Sequence, residues 1–156
     1  MFRVGIGFDA HHFAKRRRLL LGGVEIPYSF GLQGHSDADV LLHALGDALL
    51  GAAGLGDLGT HFPDSDPKWK NAHSSVLIKK ILTKLKRWTL VNADLTVLAE
   101  VPKIAPHRVR IRRSVAKILG VPEKRINLKA TSTDHMGFIG RKEGIAAQAV
   151  VLLKKA

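Results

Sequence analysis

His35-Ser36-Asp37-Ala38-Asp39-Val40-Leu41-Leu42-His43-Ala44-Leu45 opens the stretch that decides the fold. From about Asp37 to Ala53, Leu41, Leu42, Leu45, Ala48, Leu49 and Ala52 recur at helical spacing and predict an amphipathic helix. Ser36 reads as its N-cap, with Asp39 three residues on as a short capping-box acid. Asp39, His43 and Asp47 stand four apart and share the opposite, polar face. His35 and Ser36 then lie where free backbone N–H groups favour an anion, although a plain cap explains Ser36 equally well.

Upstream, Phe2 to Phe8 alternate apolar and small residues and predict a strand running into Asp9-Ala10-His11. The period of two puts Asp9 and His11 on one strand face. His43, on a helix able to pack against that strand, would join them. One carboxylate and two imidazoles make the three-ligand set that leaves zinc an open position, while Asp9-x-His11 alone is more often a surface pair. Gly5-x-Gly7-x-x-Ala10 formally matches the dinucleotide fingerprint, but no helix N-terminus follows it, so that reading is rejected. Leu19–Leu21 and Val24–Ile26, separated by Gly22-Gly23, predict a small hairpin.

Downstream, residues 54–67 predict a long loop dense in turn formers and carboxylates, of the kind that is usually functional. A helix follows from about Ser74 to Arg87, burying Leu77, Ile78, Ile81, Leu82 and Leu85, then a strand from Trp88 to Ala99. A helix from His107 to Leu119 opens near Pro106 and closes at Gly120. Strands are predicted at Ile126–Ser132 and Gly144–Leu153. Thr131-Ser132-Thr133-Asp134 could hold phosphate oxygens and a divalent cation at a strand end, or be a polar turn. The sum is an α+β fold, one domain over residues 1–156, with a mixed sheet covered by helices on one face.

Composition narrows the function classes. Without cysteine, disulfide frameworks, thiolate zinc sites, iron–sulfur clusters and thiol nucleophiles drop out. No apolar run reaches the ~18 residues of a membrane span, and the start lacks a secretory signal, so a cytoplasmic protein is expected. The net charge of +12 is unevenly spread: residues 1–66 carry 5 basic and 8 acidic side chains, residues 67–156 carry 20 and 5. That excess invites a basic RNA-binding module. The lysine-rich helix and the Arg108–Arg113 cluster read more simply as solvated faces, and only 9 Phe, Trp and Tyr are available for base stacking.

Taken in order, Gly-Ile-Gly-Phe-Asp-Ala-His (5–11), Gly-Gly-Val-Glu-Ile-Pro-Tyr (22–28), His-Ser-Asp-Ala-Asp-Val-Leu-Leu-His-Ala-Leu (35–45), Gly-Asp-Leu-Gly (56–59) and Phe-Pro-Asp-Ser-Asp-Pro (62–67) resemble one family. Pro-Lys-Ile-Ala-Pro-His (102–107), Lys-Ala-Thr-Ser-Thr-Asp (129–134) and Gly-Phe-Ile-Gly-Arg-Lys-Glu-Gly-Ile-Ala (137–146) continue the match nearly end to end. The family is that of the 2-C-methyl-D-erythritol 2,4-cyclodiphosphate synthases of the non-mevalonate isoprenoid pathway.

The resemblance implies Asp9, His11 and His43 as zinc ligands, and Asp134 as ligand of a second divalent cation, Mg2+ or Mn2+. It implies His35 and Ser36 at the substrate phosphates, with His35 and Ser132 in catalytic roles. Asp57, Leu58 and Gly59 would lie near the erythritol moiety, with Phe62, Pro63, Asp64, Ser65 and Asp66 beside it and Ala10 beside the metal ligands. Ala99, Lys103, Ile104 and Ala105 would receive cytosine and the diphosphate, Thr131, Ser132 and Thr133 phosphate oxygens, and Phe138 and Arg141 would complete the region. The same resemblance implies a homotrimer with sites between subunits, a small CDP-linked substrate, and neither nucleic acid nor membrane as partner. Three positions depart from the family pattern: Asp134 replaces a usual Glu, Ser132 a usual Thr, and the Lys86–Trp88 connection is about two residues short. A basic RNA-binding module and a metal-dependent phosphohydrolase built on the same triad are the two remaining alternatives.

Overall fold

A computed structural model describes residues 1–156. The chain runs β1 (Phe2–Ala14), β2 (Leu19–Leu21), β3 (Val24–Ile26), β4 (Gly31–Leu32), α1 (Val40–Ala53), α2 (Leu58–His61), α3 (Ser74–Lys84) and β5 (Trp88–Leu98). It continues with α4 (Arg108–Leu119), β6 (Ile126–Thr131), α5 (Gly137–Gly140) and β7 (Gly144–Lys155). Five strands form one mixed sheet in the order β4-β1-β7-β5-β6, and β2-β3 make a separate hairpin. β7 is antiparallel to both β1 and β5, while β5 and β6 are parallel. The C-terminal ends of β1, β5 and β6 therefore share one edge of the sheet.

One face of the sheet carries the helices and the core, 36 buried apolar residues from Leu19 to Leu153. On β1, Gly5 and Gly7 point at α1, where a Cβ would come within 2.0 Å of the Ala48 carbonyl oxygen and 1.9 Å of that of Ala44. Only glycine lets helix and strand backbones approach this closely. Four helix residues rise ~6 Å and two strand residues ~6.6 Å, so the same row continues through Asp9 and His11 towards the start of α1. The even-numbered residues Phe2, Val4, Ile6 and Phe8 point the other way and are 57–68% exposed.

Several expected boundaries move. α1 starts at Val40, and its N-cap is Asp39 rather than Ser36. Asp39 is fully buried, not on a polar face: Leu42 N–H donates to it at 3.0 Å, and the Gly22 and Gly23 N–H groups at 2.9 and 2.7 Å. Three backbone donors from two segments outbid solvent for this carboxylate. The 54–67 segment is not structureless. Asp57 caps α2 by accepting from Thr60 N–H at 2.9 Å, and Asp66 caps a 3-10 turn over Pro67–Trp69 by accepting from Lys68 N–H at 3.0 Å. α3 stops at Lys84 and leaves Leu82 only half-buried, β6 ends one residue before Ser132, and β7 runs on to Lys155. No helix is long and apolar enough to cross a membrane.

Candidate metal centre

Strand parity and the capped helix bring three side chains together. Asp9 Oδ2 lies 2.8 Å from His11 Nε2 and 3.0 Å from His43 Nδ1, and the two ring nitrogens are 3.2 Å apart. All are half-buried. His11 uses its other nitrogen, Nδ1, to donate to the Gln33 carbonyl at 2.7 Å, so Nε2, which meets Asp9, is the nitrogen left to bind a metal once its proton is lost. Burial alone would raise the Asp9 pKa, yet hydrogen bonds and charge from His11 and His43 hold its carboxyl well below the usual carboxylate range. Burial pulls His11 down, but the Asp9 hydrogen bond and charge outweigh it and raise its pKa. One carboxylate oxygen and two imidazole nitrogens converging within 4.8 Å of one another fit a divalent metal. The O/N donor set with three protein ligands suits zinc with an open position.

The cluster forms the floor of a cavity of about 440 Å3. His35, Ser36, Leu58, Gly59, Phe62, Pro63 and Asp64 line it, as the expected substrate contacts. His35 Nε2 is buried without a hydrogen-bond partner. That unpartnered nitrogen suits a phosphate better than a plain capping sequence would. The backbone from Gly34 to Ser36 hangs on Arg17, whose guanidinium donates to the Gly34 carbonyl at 3.0 Å and the Ser36 carbonyl at 2.7 Å. Asp47 also lines the cavity and accepts from Leu58 N–H at 2.8 Å, tying α1 to α2. Burial, with help from Asp57 and Asp9 nearby, raises its pKa. Asp57, Ser65 and Asp66 sit beside the cavity in sequence without lining it.

A second group of expected residues lies elsewhere. Ala10, on the open side of β1, lines a smaller cavity of about 220 Å3 with Phe138 and Glu143. Arg141 donates to Glu143 at 2.9 and 3.1 Å. Ala99, Lys103, Ala105, Thr131, Ser132, Thr133 and Asp134 line neither cavity and lie on the two segments at the ends of β5 and β6, which meet where Ala99 N–H donates to the Thr131 carbonyl at 2.9 Å. Ile104 is in the core, so only its backbone can meet a ligand. Glu100, which sequence reading missed, is the anchor here. Its buried carboxylate accepts from Thr133 N–H at 3.1 Å and His135 N–H at 3.0 Å, which holds its pKa down and fixes the 132–135 turn against the 99–105 segment. Its one signal was being one of only five acids in the basic stretch from 67 to 156. Asp134 is exposed and no imidazole or second carboxylate clusters with it.

Sheet register relates the two groups. Ala10 pairs with Ala146, Ala146 with Leu98, and Leu98 with Thr131. They lie in one row across four strands, ~14 Å from end to end at the usual strand spacing. Thr131 shares the open face with Ala10, whereas Asp9 and His11 point to the helix face.

Comparisons with known proteins agree over the full length. The YgbB family model matches residues 2–154. A Geobacillus thermodenitrificans protein described as 2-C-methyl-D-erythritol 2,4-cyclodiphosphate synthase is 52% identical, covering 100% of this chain and 99% of its own. One of the same description from Halalkalibacterium halodurans is 55% identical, covering 99% and 100%. Among solved structures, the bifunctional IspDF of Campylobacter jejuni superposes with a TM-score of 0.96 at 47% identity, over 100% of this chain and 43% of that one. A Plasmodium falciparum IspF in complex with CDP gives 0.86 at 31%, over 99% and 96%.

Proposed function

The chain belongs to the YgbB family and carries its cyclodiphosphate synthase activity, a lyase reaction of isoprenoid-precursor biosynthesis, and from that premise we propose how its residues perform it. The substrate is 4-diphosphocytidyl-2-C-methyl-D-erythritol 2-phosphate. An oxygen of the 2-phosphate bonds to the β-phosphorus, the bond from that phosphorus to the bridging oxygen of the α-phosphate breaks, and CMP leaves with the bonding electrons. The product is 2-C-methyl-D-erythritol 2,4-cyclodiphosphate. Convergence of Asp9, His11 and His43 on the floor of a cavity edged by His35 and Ser36 is the observation that carries this reading.

A phosphate oxygen is already ionised at neutral pH, so the chain needs no Ser–His nucleophile. Its work is alignment. His35 and Ser36 present donors to a phosphate, while Leu58, Gly59, Phe62, Pro63 and Asp64 wall the erythritol moiety and exclude water. Lys103, Thr131, Ser132 and Thr133, with the backbone of Ala99, Ile104 and Ala105, hold the cytidine diphosphate end. Fixing both ends of a flexible chain is worth up to ~7–11 kcal/mol in intramolecular models. Zinc held by Asp9, His11 and His43 supplies Lewis acidity to a phosphoryl oxygen when bound. Asp134 offers one carboxylate to a second cation, Mg2+ or Mn2+, whose remaining ligands would come from substrate oxygens.

Thr131 and Ala10 point to the open side of the sheet and Asp9 and His11 to the helix side, which supports a site completed between copies. The exposed apolar stripe Phe2, Val4, Ile6 and Phe8 on the open face supports burial of that face in a homotrimer. The work is cytoplasmic, where a multiply charged, membrane-impermeant substrate would be made, and neither nucleic acid nor membrane takes part. Phosphorus-31 NMR on the candidate substrate, with zinc and magnesium, is the test. The expected products are the cyclic diphosphate and CMP. A linear hydrolysis product would replace this reading with a phosphohydrolase using the same triad.

A further inference from the structure

We propose that Ser74 and Asp37 are positioning residues for the metal centre, locking the His43 ring and leaving the Ser36 hydroxyl free for a phosphate. The inference rests on the metal reading above and extends it to two residues outside the cavity. His43 Nε2, the nitrogen turned away from Asp9, lies 3.0 Å from Ser74 Oγ and 3.1 Å from Ser36 Oγ. The two hydroxyls are not equivalent.

Ser74 is 1% exposed and begins α3. Its hydroxyl donates to Asp37 Oδ1 and its backbone N–H donates to Asp37 Oδ2 at 2.9 Å. A serine has one hydroxyl hydrogen. With that hydrogen given to a carboxylate, Ser74 Oγ can only accept from His43. A ring nitrogen facing a committed acceptor carries the hydrogen, so once Nδ1 exchanges the proton it shares with Asp9 for a metal, its lone pair is the one on the side of Asp9 and His11. Gln33 performs the same service for His11 through the opposite nitrogen. Acceptors behind metal-binding imidazoles fix tautomer and ring orientation and raise ligand basicity.

Ser36 differs. It lines the cavity, which Ser74 does not, and no carboxylate claims its hydrogen; the Ala38 N–H donates to it only at 3.4 Å. Its O–H is thus available to an anion in the cavity. Asp37 also caps α3 through the Ser74 N–H, so the test has to separate metal affinity from helix stability.

The full-length protein is titrated with zinc against a chromophoric chelator, comparing the parent with Ser74→Ala, Asp37→Asn, Ser36→Ala and the neighbouring control Ser75→Ala. Zinc affinity is expected to fall about 10–100-fold in Ser74→Ala and Asp37→Asn and to stay within about threefold in the other two. Ser74→Thr is expected to restore it. In the zinc-loaded proteins, NMR is expected to find the His43 Nε2–H exchanging slowly in the parent and at least about tenfold faster in Ser74→Ala, a change that helix capping alone would not produce. Parent-like affinity and exchange in Ser74→Ala, or a loss confined to Ser36→Ala, overturns the inference. A parent that takes up no stoichiometric zinc instead overturns the metal reading beneath it.

Discussion

The two ends of the expected active site are built in opposite ways. Around Asp9, His11 and His43 the groups are half-buried, acid- and imidazole-rich, and satisfied by one another within one chain. Around Thr131 to Asp134 they are mostly exposed, and order comes from the single buried carboxylate of Glu100 gripping two backbone N–H groups. A metal needs a rigid pocket, and one chain supplies it by packing a helix on a strand. A nucleotide diphosphate would need donors spread over a longer span, such as the hydroxyls from Thr131 to Thr133, the first of which points to the open face of the sheet.

Breaking the first end should cost most. His43→Ala is expected to lose stoichiometric zinc and, with several kcal/mol of charge stabilisation gone, to slow cyclisation by about a thousandfold with the fold intact, as read by metal content and phosphorus NMR. Asp134→Ala is expected to keep zinc but lose about a hundredfold in turnover together with its response to Mg2+ or Mn2+. Zinc loss in this variant would contradict the separation of the two ends. Mixing the two inactive chains sharpens the comparison further. If one copy supplies the metal and its neighbour the nucleotide donors, randomly mixed trimers should regain about a quarter of parent activity. No recovery after verified subunit exchange would mean that each chain works alone.

Stability separates the regions as well. Burial pushes Asp39 up to about 6 from 3.8, against the pull of backbone N–H groups from Gly23, Leu42 and Gly22. A carboxyl raised in the folded state binds more protons there than when unfolded. Its stabilising contribution is complete below 3.8 and is lost as pH rises through about 6. Urea unfolding of the parent should lose on the order of 2 kcal/mol relative to Asp39→Asn between pH 4 and pH 7. A pH-independent difference would remove that titration from the account. Glu100→Gln should have the mildest effect on the chemistry, raising KM roughly several-fold while zinc affinity stays at the parent value. Weakened zinc binding there would tie together two regions described above as independent.

Much of the metal centre was legible because it depends on short periods. Asp9 and His11 share a strand face by parity, and Gly5 and Gly7 before them mark where a helix comes close. Asp39 misled: its spacing suits a capping box and a polar face, yet donors at Gly22 and Gly23, 17 and 16 residues upstream, make it a buried cap. Asp47, four residues after His43, carried a signal that its neighbours in the cavity would be polar. Ser74 carried none, since it lies 37 and 31 positions along the chain from Asp37 and His43, which it meets only in the folded protein.

From the order of residues alone came the elements, the family motifs and the three candidate metal ligands, because hydrophobic period and local turn chemistry act within a few residues. The tertiary structure alone decided which carboxylates are buried, which hydroxyl faces the cavity, and that Thr131 looks to the opposite side of the sheet from Asp9 and His11. Those outcomes depend on strand register and helix docking, which join segments far apart in the chain, and no local pattern encodes the distance between them.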